Sequence, residues 1–168
     1  GIALDSQGSI YVTGATSAGG SVVILNSSNS SSQETIGGPQ GSTIIAKLSN
    51  SGNWEWLYSH GQYYDGEVAA IDIDSNDNIR IGSVYSSGSG VYSDIIHLNK
   101  SGSIISQTNL GGNSGYLGFV ISDISSSNDG IYVAGSFMRT VSFVINGTSE
   151  SFTSPNQNMY FPFALMLE

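Results

Sequence analysis

The chain has 168 residues, enough for one domain with a substantial core, and charged side chains make up only 10% of it, against roughly a quarter in an average globular protein. Four Lys and Arg against thirteen Asp and Glu leave a net charge of −9, which excludes a nucleic-acid surface or an anionic-membrane surface, because both need basic residues to release counterions from phosphates. Hydrophobic content of 39% with two Trp, nine Tyr and six Phe excludes a disordered chain, and the absence of Cys excludes disulfides, thiolate metal sites and a Cys nucleophile.

Short strands are predicted along the whole chain. Ser9-Ile10-Tyr11-Val12-Thr13-Gly14 alternates large residues between two faces and is bounded by Gly. The same pattern returns at Val68 to Asp74, Asn78 to Tyr85, Ile95 to Leu98, Ile104 to Thr108, Gly130 to Phe137, Val141 to Ile145 and Phe161 to Leu167. Clusters of Ser, Asn, Asp and Gly separate them, as expected of turns. No window of a dozen residues carries a helical apolar stripe free of Gly and β-branched crowding, so the expected class is all-β. No apolar run approaches the ~20 residues that span a bilayer, and no signal peptide is visible. The neutral, Ser- and Gly-rich surface predicts an extracellular or cell-surface protein.

Internal repetition narrows the architecture. Ile2-Ala-Leu-Asp-Ser-Gln-Gly-Ser-Ile-Tyr-Val-Thr-Gly14 aligns with Ile71-Asp-Ile-Asp-Ser-Asn-Asp-Asn-Ile-Arg-Ile-Gly-Ser83 and with Ser126-Ser-Asn-Asp-Gly-Ile-Tyr-Val-Ala-Gly135. Ile45-Ala-Lys-Leu-Ser-Asn-Ser-Gly52 aligns with Ile95-Ile-His-Leu-Asn-Lys-Ser-Gly102, and Phe163-Ala-Leu-Met166 begins a third copy. The repeats divide the chain as approximately 1–66, 67–117 and 118–168. Units of roughly 50 residues with about four short strands are the sequence form of β-propeller blades. The first unit carries an insertion between Gly14 and Thr43, with an exposed Ser/Asn loop at Ser27 to Ser32. Val141-Ser-Phe-Val-Ile-Asn-Gly147 in the third unit matches Val22-Val-Ile-Leu-Asn26 in the first, and the second unit has no equivalent.

At these residues the chain resembles the SBBP family of bacterial and archaeal β-propeller repeats, whose pattern runs roughly I-x-V-D-x-x-G-N-I-Y-V-T-G, then F-V-A-K-L-D-x-x-G, then Trp and a Gly-Gly turn. Asp5, Gly8, Ile10, Tyr11, Val12, Thr13 and Gly14 carry the first block; Ala46, Lys47, Leu48, Gly52 and Trp56 carry the second. Gly111-Gly112 matches the closing turn, and Asp65-Gly66 the acidic turn that leads into the next unit. The resemblance implies a propeller segment from a large secreted or surface-attached protein without a shared enzymatic activity. Two substitutions stand out. The second unit has Arg80 where the first and third have Tyr11 and Tyr132, and His97 where the first has Lys47. An unpaired buried guanidinium is costly, so either that face is open or Arg80 meets Asp72 or Asp74. Three units, the last incomplete, are fewer than the ~4–8 blades of a closed propeller. The expected partners are therefore further blades of one polypeptide or other copies of the chain.

Candidate sites are sparse. Asp72, Asp74, Asn76 and Asn78 place oxygen ligands at alternate positions, as a calcium loop does. Asp77 occupies the place of the required Gly and no bidentate Glu follows, so a hairpin turn equivalent to Asp5-Ser-Gln-Gly8 is the preferred reading, with Ca²⁺ as the only candidate cofactor. Trp54 and Trp56 alternate with Glu55 and are expected on one face, with Tyr63 and Tyr64 nearby; such a cluster stacks on sugars when exposed or packs between units when buried. The resemblance places a Trp in that packing, which is the expectation here, as it is for Tyr160, Phe161 and Phe163. His60 and His97 are the only histidines, too few for a His-rich metal site and expected on turns or the surface. There is no G-x-S-x-G or Ser-x-x-Lys motif, and no carboxylate pair is nominated for glycoside hydrolysis. Asn26, Asn29, Asn99 and Asn146 each begin an N-x-S/T sequon.

The leading expectation is a non-enzymatic extracellular β-propeller segment with a structural or adhesive role in a larger surface, filament or secreted protein, with no catalytic residues assigned. The alternatives are a carbohydrate- or glycoprotein-binding propeller and a fragment of an extracellular glycan-active enzyme. No nucleic acid and no direct membrane insertion are expected.

Overall fold

Four short loops set the strand register, and all have one design. In each, the first residue's carbonyl accepts from the amide three residues on, and its own amide donates to the carbonyl four residues on. These loops are Asp5 to Ser9, Ser49 to Asn53, Asp74 to Asn78 and Asn99 to Ser103, with bonds of 2.8–3.1 Å. The fourth loop position is left-handed: Gly8, Gly52 and Gly102 have φ of 78–82°, and Asp77 adopts 61° in the same place. Side-chain oxygens of the first residue cap the loop's amides. Asp5 Oδ1 accepts from Gln7 and Ser9, Asp74 Oδ1 from Asn76 and Asn78, and Asn99 Oδ1 from Ser101 and Ser103. A tight turn closed by its own Asx side chain fixes which strand residues face each other.

The computed structural model describes residues 1–16, 21–25, 33–37, 41–63, 65–87, 90–113, 119–127, 129–145 and 147–167. They form fifteen strands and no helix: β1 (Ile2–Leu4), β2 (Ile10–Thr16), β3 (Ser21–Leu25), β4 (Gln33–Gly37), β5 (Gly41–Leu48), β6 (Trp54–Tyr63), β7 (Asp65–Ile73), β8 (Ile79–Ser87), β9 (Gly90–Leu98), β10 (Ile104–Asn113), β11 (Phe119–Ser126), β12 (Ile131–Phe137), β13 (Thr140–Ile145), β14 (Thr148–Thr153) and β15 (Phe161–Leu167). The all-β class is as expected. Three antiparallel sheets have the orders β1-β2-β5-β6, β14-β13-β10-β9-β8-β7 and β11-β12-β15, and β3-β4 forms a separate hairpin; none of the sheets closes on itself.

Both insertions are hairpins between the second and third strands of their unit. The two differ in pairing. Among the described residues β3 and β4 pair only with each other, whereas β13 leaves the third sheet and adds to the outer edge of the second, opposite β10. The anchors are Val141 and Phe143, buried with Phe137 and Leu110, and the Phe143 ring meets Phe163 at 4.9 Å, tilted by 55°.

The core lies in two seams where successive sheets stack face to face. In the first seam Tyr11 and Ile45 from the first sheet meet Ile79, Ile81, Ile96 and Leu98 from the second. The second seam is built around Ala70, Ile95 and Leu110 against Ile121, Ile124, Val133 and Leu167. Each fully buried large apolar side chain contributes about 1.5–3 kcal/mol, so it is the seams, more than any single sheet, that hold the units together.

Candidate functional site

The cross-strand register aligns one row of side chains in each unit. In the first unit the row is Ala3, Tyr11, Lys47 and Trp56; in the second it is Asp72, Arg80, His97 and Ser106; in the third, Ser125, Tyr132 and Met166. Each of the first two rows faces the next unit, so their chemistry decides what each seam holds.

The first row is filled. Tyr11 is completely buried, meets Trp56 edge-on at 5.8 Å, and donates its hydroxyl to Asp5 Oδ2 at 3.1 Å. Lys47 Nζ lies 2.9 Å from Glu55, 3.9 Å from Asp5 and 5.4 Å from the Tyr11 ring centre. Burial alone would raise the Asp5 carboxyl, but hydrogen bonds from Ser9, Gln7 and Tyr11 outweigh it and hold the group below the usual Asp value. Burial likewise opposes the charged Lys47, yet its bonds to Glu55 and Tyr11 raise it above an ordinary lysine. Trp56 Nε1 donates to the Lys100 carbonyl at 3.2 Å, tying the first sheet to a loop of the second.

This placement settles part of the aromatic cluster. A bulge between Lys47 and Leu48 sets Trp56 opposite Lys47 and Trp54 opposite Leu48. Consecutive residues of β5 point to opposite faces, so the expected shared face of Trp54 and Trp56 is lost; Trp56 packs in the seam, and sequence alternation missed the extra residue. Tyr63 ends β6, and Tyr64 lies outside the described residues.

The second row is unfilled. Arg80 stands where Tyr11 does, and its Nη2 lies 3.6 Å from Asp74 Oδ2, so Asp74 rather than Asp72 is its acidic partner. Asp72 instead accepts from the Ser126 amide across the seam. His97 and Ser106 replace Lys47 and the Trp56 indole, leaving a cavity of about 500 Å³ lined by Asp74, Arg80, His97, Ser106, Ser126 and Asp129 among others. Arg80 Nε, His97 Nε2 and Ser126 Oγ are buried there without a hydrogen-bond partner. An unmet buried polar group costs about 1–3 kcal/mol, so the seam carries an incomplete network. Burial, followed by the Arg80 charge and against the pull of Asp74, lowers His97 below an ordinary histidine, leaving it mostly neutral near pH 7. A site with these donors beside the carboxylates of Asp74 and Asp129 suits a neutral, hydroxyl-rich molecule better than an anion.

The Asp/Asn loop is committed to its own backbone. Asp74 Oδ1 caps two amides and Oδ2 takes the Asn78 side-chain amide at 3.2 Å. Burial works against its ionisation, but the bonds from Asn78 and Asn76, with Arg80 adding, keep it below the usual Asp value. Asp77 reaches across the first seam, accepting from the Ser6 amide at 2.9 Å and hydroxyl at 2.8 Å. Asp72 is engaged separately by the Ser126 amide, and no group of three or more His, Cys, Asp or Glu that could hold a metal ion gathers among the described residues. Of the sequons, Asn99 uses its Oδ1 in the turn, while Asn26, Asn29 and Asn146 lie outside the described residues.

One buried polar group escaped the sequence reading. Asp94, 1% exposed in the first seam, accepts from Gln107 and Asn109 at 2.8 Å each, with His60 Nε2 at 3.9 Å, beyond hydrogen-bond reach. Only the odd position of an Asp inside a β-branched strand hinted at it. The chain matches no protein-family model and no curated protein; its own repeats are the material for a functional reading.

Proposed function

We propose that the chain is a non-enzymatic architectural segment of a β-propeller built from SBBP-type units, serving a structural or adhesive role in a secreted or surface protein. One observation carries the reading. Tyr132 occupies in the third unit the place of Tyr11 in the first, but it is 45% exposed where Tyr11 is buried, and Met166 beside it is 43% exposed. That face also bears Ala134 and Ala164 around an apolar hollow of about 290 Å³. A face with the seam's own chemistry is suited to a further unit of the same kind. The poor charge and the Ser- and Gly-rich composition support an extracellular setting.

Light scattering on the 168-residue chain tests this. The chain is expected to associate through the Tyr132 face, and Tyr132→Arg is expected to reduce the associated mass. A monodisperse monomer that melts cooperatively, with Tyr132→Arg unchanged from it, would sink the proposal.

The unfilled second seam favours a second reading, a carbohydrate-binding propeller whose ligand sits between Arg80, His97 and Asp74. Titration with neutral mono- and disaccharides, followed on the His97 ring by NMR, separates the two. Saturable shifts lost in Arg80→Met support binding; an unresponsive His97 rejects it.

A further inference from the structure

We infer that the β3-β4 hairpin is a docking element that adds, through β3, to the outer edge strand of another unit of the same kind. The inference rests on the unit-stacking reading above and extends it to a second, edge-to-edge contact. Its basis is the other hairpin. β13-β14 is inserted at the same point of its unit as β3-β4, between the second and third strands, and it does not pair with its own sheet. Instead β13 runs antiparallel to β10 of the preceding unit, with Gly111 opposite Phe143 and Gly112 opposite Ser142.

Gly111 makes that approach possible. It sits at a bulge in β10 with φ of 93°, and a Cβ on it would collide with the Ser142 carbonyl of the arriving strand. The receiving edge therefore has a stated chemistry: a free outer strand whose bulge carries Gly.

In β3, Val22 and Ile24 recur at the spacing of Val141 and Phe143, the two residues that anchor β13. A two-stranded hairpin by itself is marginally stable in water, and β3 pairs with nothing but β4 among the described residues. By the order of units, the edge β3 fits is that of a unit placed before the first sheet, as β10 stands before the third. The second unit has no hairpin, which leaves the β6 edge uncovered among the described residues. Strand addition of this kind draws its affinity from main-chain hydrogen bonds and its selectivity from the side chains that alternate along the edge.

The test offers the full chain a synthetic peptide with the β10 sequence, Ile104 to Asn113, both free and tethered by a Gly/Ser linker to the amino terminus, which raises its effective concentration to the millimolar range. Hydrogen exchange is read at the amides of Ser21 to Leu25. The expected result is at least tenfold slower exchange there, lost when the peptide carries Gly111→Val. Unchanged exchange with the tethered peptide, equal slowing by the Gly111→Val peptide, or slowing confined to β13 would each overturn the inference. Failure here leaves the light-scattering test of face stacking untouched, because that test reads the Tyr132 face and this one reads the β3 edge.

Discussion

The two seams are built from the same repeat and end in opposite states. In the first, Tyr11, Lys47 and Trp56 close the space with an edge-on aromatic pair and a paired ammonium. In the second, Arg80, His97 and Ser106 at the corresponding places leave a cavity of about 500 Å³, with Arg80 Nε, His97 Nε2 and Ser126 Oγ unmet there against Thr13 Oγ1 and His60 Nε2 in the first seam. Below both rows the apolar packing continues, with Ile45 against Ile79 and Ile81 in one seam and Ile95 against Ile121 in the other. The fold thus tolerates an open row provided the rest of the face stays apolar, and this is where a repeat scaffold is free to vary. A unit's identity in such a chain lies in a few cross-strand positions, while its stacking lies in the isoleucines around them.

The comparison breaks most directly at Tyr11. Tyr11→Ala is expected to cost about 3–5 kcal/mol, the range for emptying a buried aromatic site, read as a lower urea midpoint at constant slope. Arg80→Ala at the matching place is expected to cost less, about 1 kcal/mol, since the Asp74 ion pair is loose at 3.6 Å and the guanidinium already carries a burial penalty through its unmet Nε. Equal losses from the two would erase the distinction between the seams.

Asp5→Ala should follow in size, at about 2 kcal/mol, because a carboxylate accepting several hydrogen bonds loses them together with its lysine. The loss is expected to be the same with calcium or with a chelator, if the loop acts through its own backbone.

Converting the second seam into the first sharpens the contrast. Arg80→Tyr with Ser106→Trp is expected to gain about 1 kcal/mol by filling the cavity, measured by the shift in Tm. No gain, with the double variant folded, means that the cavity's shape rather than its polarity keeps it open.

The smallest expected effect is a pH slope. His97 binds its proton less readily in the folded chain than when unfolded, so between its folded value and ~6.5 the unfolded state holds more protons. Stability contributed by His97 is therefore complete above ~6.5 and is lost as pH falls through that interval. Asp5 and Asp74 act with the same sign at lower pH, their contributions present above ~3.9 and lost below it. Urea midpoints at pH 5 to 8 should show the slope in the wild type and a flatter line in His97→Gln.

Much of this was written in the sequence because it is local. The four loops follow from Asp, Asn, Ser and Gly at fixed offsets, since each first side chain bonds the amide four residues on and, in all but the Ser49 loop, the amide two residues on as well. Strand alternation at Ile10 to Gly14 and Ile79 to Tyr85, and the matching insertions, were legible for the same reason. Strand β14 was not, because all six of its residues are exposed and show no alternation, and β6 and β11 were obscured by bulges.

The sequence alone settles an all-β chain of repeated units with Asx-capped turns and two matching insertions, because turn chemistry and period-two patterning act within a few residues. The tertiary structure alone decided that Trp54 and Trp56 part company, that Arg80 turns to Asp74 over a cavity, and that one hairpin crosses to its neighbour's edge. Each of those outcomes depends on an inserted residue or on a partner tens of residues away, where register and packing, not local preference, set the energy.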